Sequence, residues 1–153
     1  MDREESIVFA QKYLEDILTF FGANLAVSAT TEDDVIELLV PSSELNAVLI
    51  GRGAETLRSL QLLVITALRS KDADLTRVNV DVAGYKQQRA EQLAEKAEGW
   101  IKAVRETGEP YVGNLNAADR RIVHRVAGDY SDIETRSEGE GRDRRIVISK
   151  ISE

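Results

Sequence analysis

The sequence predicts an α+β protein made of two small units, residues 1–83 and 84–153, the second opening on a long helix. Three observations carry that expectation. Apolar residues recur at helical spacing over residues 4–21, from about 55 to 69, over 85–107 and over 117–127. Short stretches of strict alternation lie between them, and glycine or proline marks most of the joints.

The first helix rests on Ile7, Phe9, Ala10, Tyr13, Leu14, Ile17, Leu18 and Phe21, and Gly22 closes it. Alternation then places strands at Asn24–Ala29 and Val35–Val40, with TTEDD as an acidic hairpin turn. Pro41, Ser42 and Ser43 end the second strand and cap a short helix, Glu44 to Ile50. A glycine-rich corner, Gly51-Arg52-Gly53-Ala54, separates it from a helix lined by Leu57, Leu60, Val64, Ala67 and Leu68. Val78, Val80 and Val82 mark a third strand, which Gly84 breaks.

The helix from Tyr85 to Thr107 carries the stripe Ala90, Leu93, Ala94, Ala97, Trp100, Ile101, Val104, with Gly108 and Pro110 as stop signals. Trp100 reads as a core anchor. Nothing in the composition around this helix resembles a flexible linker, so a rigid junction is expected. Tyr111-Val112 is a short extended piece. Asn116 is an N-cap for Ala117–Ala127, with Asp119 as the acid of a capping box and Gly128 as a left-handed stop. Ile133–Ser137 and Arg145–Ile151 form a hairpin about Glu138–Gly141.

Composition narrows the class. Charged residues are 31% and hydrophobic residues 42% of the 153, globular values that argue against disorder. There is no cysteine, hence no disulfide and no thiolate metal site. No apolar run is long enough to span a membrane and the N-terminus lacks signal-peptide character, so a cytoplasmic location is expected. The net charge of −7 is local: residues 1–42 hold 2 basic and 9 acidic side chains, whereas residues 43–153 hold 18 of each. Basic patches in the second region are therefore compatible with the acidic total, because steering follows the local field.

The stretch Asn114–Glu140 is where such a patch is expected. On a helix, Arg120 and His124 lie one turn apart, and Arg121 and Arg125 repeat the spacing one residue on. The helix is thus expected to show three guanidinium groups and the chain's single imidazole to solvent. Arginine makes bidentate contacts to phosphate and stacks on bases. A solvated basic face and an idle histidine are the plain alternative. Likewise, Gly51 and Gly53 fit either a close approach of a nucleic-acid backbone or a purely structural corner.

The topology of residues 1–83, with the segment Leu49-Ile50-Gly51-Arg52-Gly53-Ala54-Glu55-Thr56-Leu57, resembles a type II KH domain, α-β-β-α-α-β. Arg120 to His124 resembles the Arg-x-x-x-His signature of the R3H domain, and Ile133–Gly139 resembles the strand and turn of that domain. A KH domain, a linking helix from Val82–Tyr85 and an R3H domain in this order resemble the bacterial Jag/KhpB family. The resemblance implies a non-enzymatic single-stranded RNA-binding protein that needs no cofactor or metal. It further implies a post-transcriptional regulator or RNA chaperone linked to cell-envelope growth, partnered by a small KH protein or a second copy of itself. Single-stranded DNA stays open as an alternative ligand.

By the same resemblance Arg120 and His124 are the signature pair, with Gly51, Arg52 and Gly53 as the KH contact. Arg121, Arg125, Arg136, Arg142, Arg144 and Arg145 are physically suitable neighbours, although those at 142–145 also suit pairing with Glu138, Glu140 and Asp143. Two departures stand out. Ala54 replaces the last glycine of the G-x-x-G loop, which adds strain of about 1 kcal/mol if φ is positive there and weakens the KH contact. The sequence also starts almost at the KH unit, so the extra N-terminal domain of many members, and a membrane-associated role with it, are not expected. Two other functions compete. One is a dimerising interaction module with vestigial nucleic-acid binding; the other is a nuclease using His124, which a single histidine and the lack of a carboxylate cluster disfavour.

Overall fold

The computed structural model describes residues 1–151, the Arg142 side chain apart. Contacts within the chain divide it into two compact units, Met1–Lys86 and Gln87–Glu153.

In the first unit, α1 (Arg3–Thr19) begins at a reciprocal cap. The Asp2 carboxylate accepts from Glu5 N at 2.8 Å, and Glu5 accepts from Asp2 N at 3.3 Å. Ala10, Leu14 and Leu18 are fully buried, while Ile7, Phe9, Tyr13 and Ile17 pack half-buried around them. Phe21 is not part of that stripe: the helix ends at Thr19, leaving Phe20 90% and Phe21 37% exposed.

The hairpin differs from expectation in register. Strand β1 is Ser28–Glu32 and β2 is Val35–Val40, so Thr30, Thr31 and Glu32 belong to a strand rather than to the turn. The turn is the pair Asp33-Asp34, with φ of 50° and 64°. A two-residue turn with positive φ at both positions matches the twist of paired strands, and aspartate tolerates that region better than most residues. The alternating Leu25 and Val27 precede the sheet. Val27 is instead pinned to α1, its N–H donating to Glu15 Oε2 at 3.0 Å and its carbonyl accepting from Gln11 at 2.5 Å.

Helix α2 is Asn46–Ile50, α3 is Glu55–Ser70 and β3 is Arg77–Val82. The sheet order is β1-β2-β3, with β2 antiparallel to β1 and parallel to β3. Ile36, Leu38, Val40, Val78, Val80 and Val82 form one core with Leu14, Leu18, Leu57, Leu60, Val64 and Leu68. Each such side chain contributes about 1.5–3 kcal/mol when fully buried. Polar side chains finish β3. Gln61 Oε1 accepts from Val80 N at 3.0 Å, and Asp81 Oδ1 accepts from Val82 N at 2.9 Å and from Lys86 N at 3.1 Å. The Lys86 ammonium donates to Gln61 Oε1 at 3.0 Å and to Asn79 Oδ1. Burial lowers its pKa from the ordinary 10.5, against the pull of Asp81 and Glu37. These bonds tie Lys86 into the first unit.

Helix α4 runs Tyr85–Thr107. In the second unit its buried residues Leu93, Ala97, Ile101 and Val104 meet Val123, Ala127, Ile133, Ile146 and Ile148. Strands β4 (Tyr111–Gly113), β5 (Ile133–Glu138) and β6 (Arg145–Lys150) form an antiparallel sheet in the order β4-β6-β5, and α5 is Ala117–Ala127. The extended Tyr111-Val112 piece is thus part of a third strand, paired Tyr111 to Ile148. Trp100 is half-buried rather than enclosed. It stacks on Tyr111 with centroids 4.4 Å apart and planes 13° from parallel.

Candidate nucleic-acid interface

Helix α5 starts on Asn116, whose side-chain oxygen accepts from Asp119 N at 2.9 Å. The second half of the expected capping box is missing. Asp119, only 7% exposed, turns its carboxylate to Arg89 on α4, 3.1 Å away. At the other end Gly128 has φ −61°, so it is not a left-handed stop. A Cβ there would stand 3.3 Å from the Arg125 carbonyl.

This placement of α5 separates its basic groups. Arg120 is half-buried, and its Nη1 donates to the Leu115 carbonyl at 2.6 Å. That bond folds the side chain back over the start of its own helix. There it lines a depression of about 360 Å³ with Asn114, Leu115, Asn116, Ala117, Gly141 and Arg144. No carboxylate is among these lining residues. A second depression of about 500 Å³, lined by Val112, Asn114, Asp143 and Arg145, shares Asn114 with the first. The turn that brings Arg144 here depends on Gly139, at φ +86°, where a Cβ would stand 2.7 Å from the Asp143 carbonyl.

His124 does not face solvent, contrary to the expected face. One ring nitrogen meets Thr135 Oγ1 and the other lies 3.3 Å from Ser137 Oγ, both on β5. Hydroxyl groups both donate and accept, so they satisfy either neutral tautomer. Arg121 and Arg125 are the exposed cations of α5 and have no ion-pair partner among the described residues. Arg136 alternates with Thr135 and Ser137 along β5, so it lies on the opposite sheet face from His124. Its Nε bonds Glu138 Oε1 at 2.7 Å, and Arg145 Nη2 is 3.7 Å from the same carboxylate. The Arg136 hydrogen bond, with both arginine charges, holds Glu138 below the usual carboxylate range. The expected single cationic face is therefore four separate placements. The residue that joins Arg120 is Arg144, and Asn114, which has no periodicity or charge to mark it, completes the rim. The Arg142 side chain lies outside the described residues.

In the first unit the glycine corner has three positive-φ residues around Arg52: Gly51 precedes it at φ 76°, and Gly53 and Ala54 follow at 59° and 61°. A Cβ on Gly51 would come 2.9 Å from Thr56 N, whereas one on Gly53 would meet nothing within 4 Å. Gly51 is thus filled by its own chain, and Gly53 faces open space. Arg52 is exposed, and Arg58 Nη1 donates to the Gly53 carbonyl at 2.6 Å. Ala54 is half-buried against the core, so its methyl is partly spent on packing.

The R3H domain family matches residues 87–150. This stretch is an R3H domain. The chain is also 30% identical over 149 residues to RNA-binding protein KhpB of Clostridium symbiosum, an alignment covering 92% of this chain and 64% of that protein. Against RNA-binding protein KhpB of Bacillus subtilis it is 27% identical over 152 residues, 97% of this chain and 73% of the relative. Against that of Streptococcus pneumoniae it is 26% identical over 148 residues, 96% and 45% respectively. The chain is similar to these KhpB proteins over most of its own length and spans only part of theirs, under two thirds of the first. Within the R3H domain, the Arg120 groove and the His124 contacts to β5 are carried by one helix, whose first turn Asp119 ties to Arg89 on α4. The domain therefore offers a fixed guanidinium at the start of α5, beside the positive end of a helix dipole.

Proposed function

We propose that this protein binds single-stranded RNA without altering it, and that the R3H domain holds the phosphate backbone in the groove between the start of α5 and the 139–144 turn. One observation carries the reading: Arg120 and Arg144, distant in sequence, line one depression with no carboxylate among its described lining residues. Guanidinium groups fit phosphate bidentately, and the Asn114 and Asn116 side-chain amides add donors. The names of the relatives, RNA-binding proteins, support the same ligand. His124 serves as a brace for α5 in this reading, not as a proton carrier.

The first unit is then a type II KH domain, with α4 as the linking helix. Its α-β-β-α-α-β order and its glycine corner support that reading, with Gly51 structural and Arg52 and Gly53 facing the strand. The protein works in the cytoplasm as a post-transcriptional regulator or RNA chaperone tied to cell-envelope growth, partnered by a small KH protein or by a second copy. Among the described residues no group of histidine or acidic side chains could hold a metal, and no helix is long and apolar enough to cross a membrane.

Fluorescence anisotropy with a labelled unstructured RNA tests the groove. Wild type binds with an affinity that falls with salt, the logarithmic slope being about 0.7 per phosphate contacted. Arg120→Ala with Arg144→Ala weakens binding and flattens the slope. Equal affinity and slope in the double variant would overturn the groove assignment.

A further inference from the structure

A larger depression, of about 690 Å³, lies elsewhere on the R3H domain and shares no lining residue with the Arg120 groove. Gly99, in the middle of α4, is among its lining residues. Glycine is a poor choice in a helix interior, and a Cβ on Gly99 would meet nothing within 4 Å. Internal packing therefore gives no reason for it. What the missing side chain does is expose bare helix backbone to whatever enters.

An aromatic wall is already set in place. The Tyr130 hydroxyl donates to Glu98, and Arg105 lies over the ring with Cζ 5.5 Å from its centroid. Arg105 Nε in turn bonds Asp132 Oδ2 at 2.8 Å. The chain Glu98–Tyr130–Arg105–Asp132 engages two of the three carboxylates among the described lining residues and fixes a phenol ring beside a guanidinium plane. Lys102 and Lys150 line the same depression and have no ion-pair partner among the described residues. Two ammonium groups and Glu106 are what remains for a ligand.

From this we infer that the depression is a nucleotide seat, in which a base lies against Tyr130 and Arg105 over Gly99 and its phosphate meets Lys102 and Lys150. Bases of single strands are held by stacking on aromatic and guanidinium faces, and lysines supply counter-charge to the backbone. Because Tyr130 and Arg105 are each already held by a carboxylate, little ordering is left for binding to cost. The seat rests on the RNA reading and adds a base contact to the backbone contact at Arg120.

The test is a titration of isotope-labelled full chain with adenosine monophosphate and with a short unstructured RNA, following the amide resonances of Gly99, Lys102 and Tyr130. Both probes shift them. Gly99→Leu improves helix propensity while filling the seat, so its thermal midpoint holds or rises while RNA affinity falls roughly fivefold or more. Lys102→Glu with Lys150→Glu weakens RNA binding without reaching the core. Unmoved resonances, or full affinity in Gly99→Leu, overturn the seat; if Arg120→Ala still weakens RNA in that case, the groove reading survives alone. Shifts at Gly99 and Tyr130 with none around Arg120 keep the seat and overturn the groove. If neither probe moves any resonance, both fall.

Discussion

Replacing Asp119 with alanine tests how the R3H domain fixes α5. The carboxylate is 10% exposed, and the Arg89 guanidinium it meets at 3.1 Å is 31% exposed. A hydrogen bond between charged groups at such burial contributes about 1.5–3 kcal/mol. Asp119 also stands in the first turn of α5, where a negative charge adds about 0.3–1 kcal/mol against the helix dipole. The variant should therefore lose about 2–4 kcal/mol, part of it because Arg89 is left half-covered with no partner. For a unit of this size that lowers the melting midpoint by roughly 10–20 °C. Asp119→Asn keeps the shape and one acceptor and should lose about half as much. Calorimetry gives the midpoints, and hydrogen exchange at the Arg120–Val123 amides reports whether the start of α5 opens. A double-mutant cycle with Arg89→Ala isolates the pair. A loss below about 0.5 kcal/mol, or additive single effects, would refute the claim that this ion pair anchors the helix.

Three further outcomes are expected. Urea midpoints should rank the glycine corner: Gly51→Ala costs about 2 kcal/mol or more, through the Thr56 backbone and positive φ together, and Gly53→Ala about 1 kcal/mol, from φ alone; equal costs would show that Thr56 does not fill the corner. Lys86 should make wild type gain stability as pH rises. Its folded pKa is lowered, so between that value and the ordinary 10.5 the unfolded chain binds more protons, and folding strengthens through the window. The wild-type minus Lys86→Met stability difference, measured by urea unfolding, should climb there, and a flat difference contradicts the burial argument. Thr135→Val with Ser137→Ala should cost about 1–3 kcal/mol in thermal unfolding, because a half-buried imidazole loses both partners; a neutral result would mean that His124 is held by packing alone.

The helices were readable because their apolar spacing is long and regular: Leu57, Leu60, Val64 and Leu68 on α3 sit where the period puts them. The shorter signals were ambiguous for physical reasons. Leu25, Val27 and Ala29 alternate as well as any strand, but the two-residue turn at Asp33-Asp34 fixes the register and carries β1 onward to Glu32. Asp119 has the spacing of a cap acid, yet a guanidinium thirty residues earlier is the stronger partner, and no local pattern announces it. The site suffered most. Spacing places Arg120 and His124 on one side of a helix, but which side meets the sheet depends on Ile133, Thr135 and Ser137, and Arg144 joins Arg120 only through a turn.

The finish on β3 has a consequence for assembly. Ala83 N donates to Val40 O, so alternation along the strand turns the N–H groups of Val80 and Val82 away from β2, toward the open side. Those are the groups that Gln61 and Asp81 occupy. An incoming extended chain finds its first two donors taken and a lysine across its path, so strand addition at β3 is blocked by side chains of the same unit. Growth of this sheet is left to β1, whose rim carries Glu32, Asp33 and Asp34 and repels a second copy of itself. The acidity concentrated in the first quarter of the chain thus keeps a small open sheet from becoming a seed for aggregation.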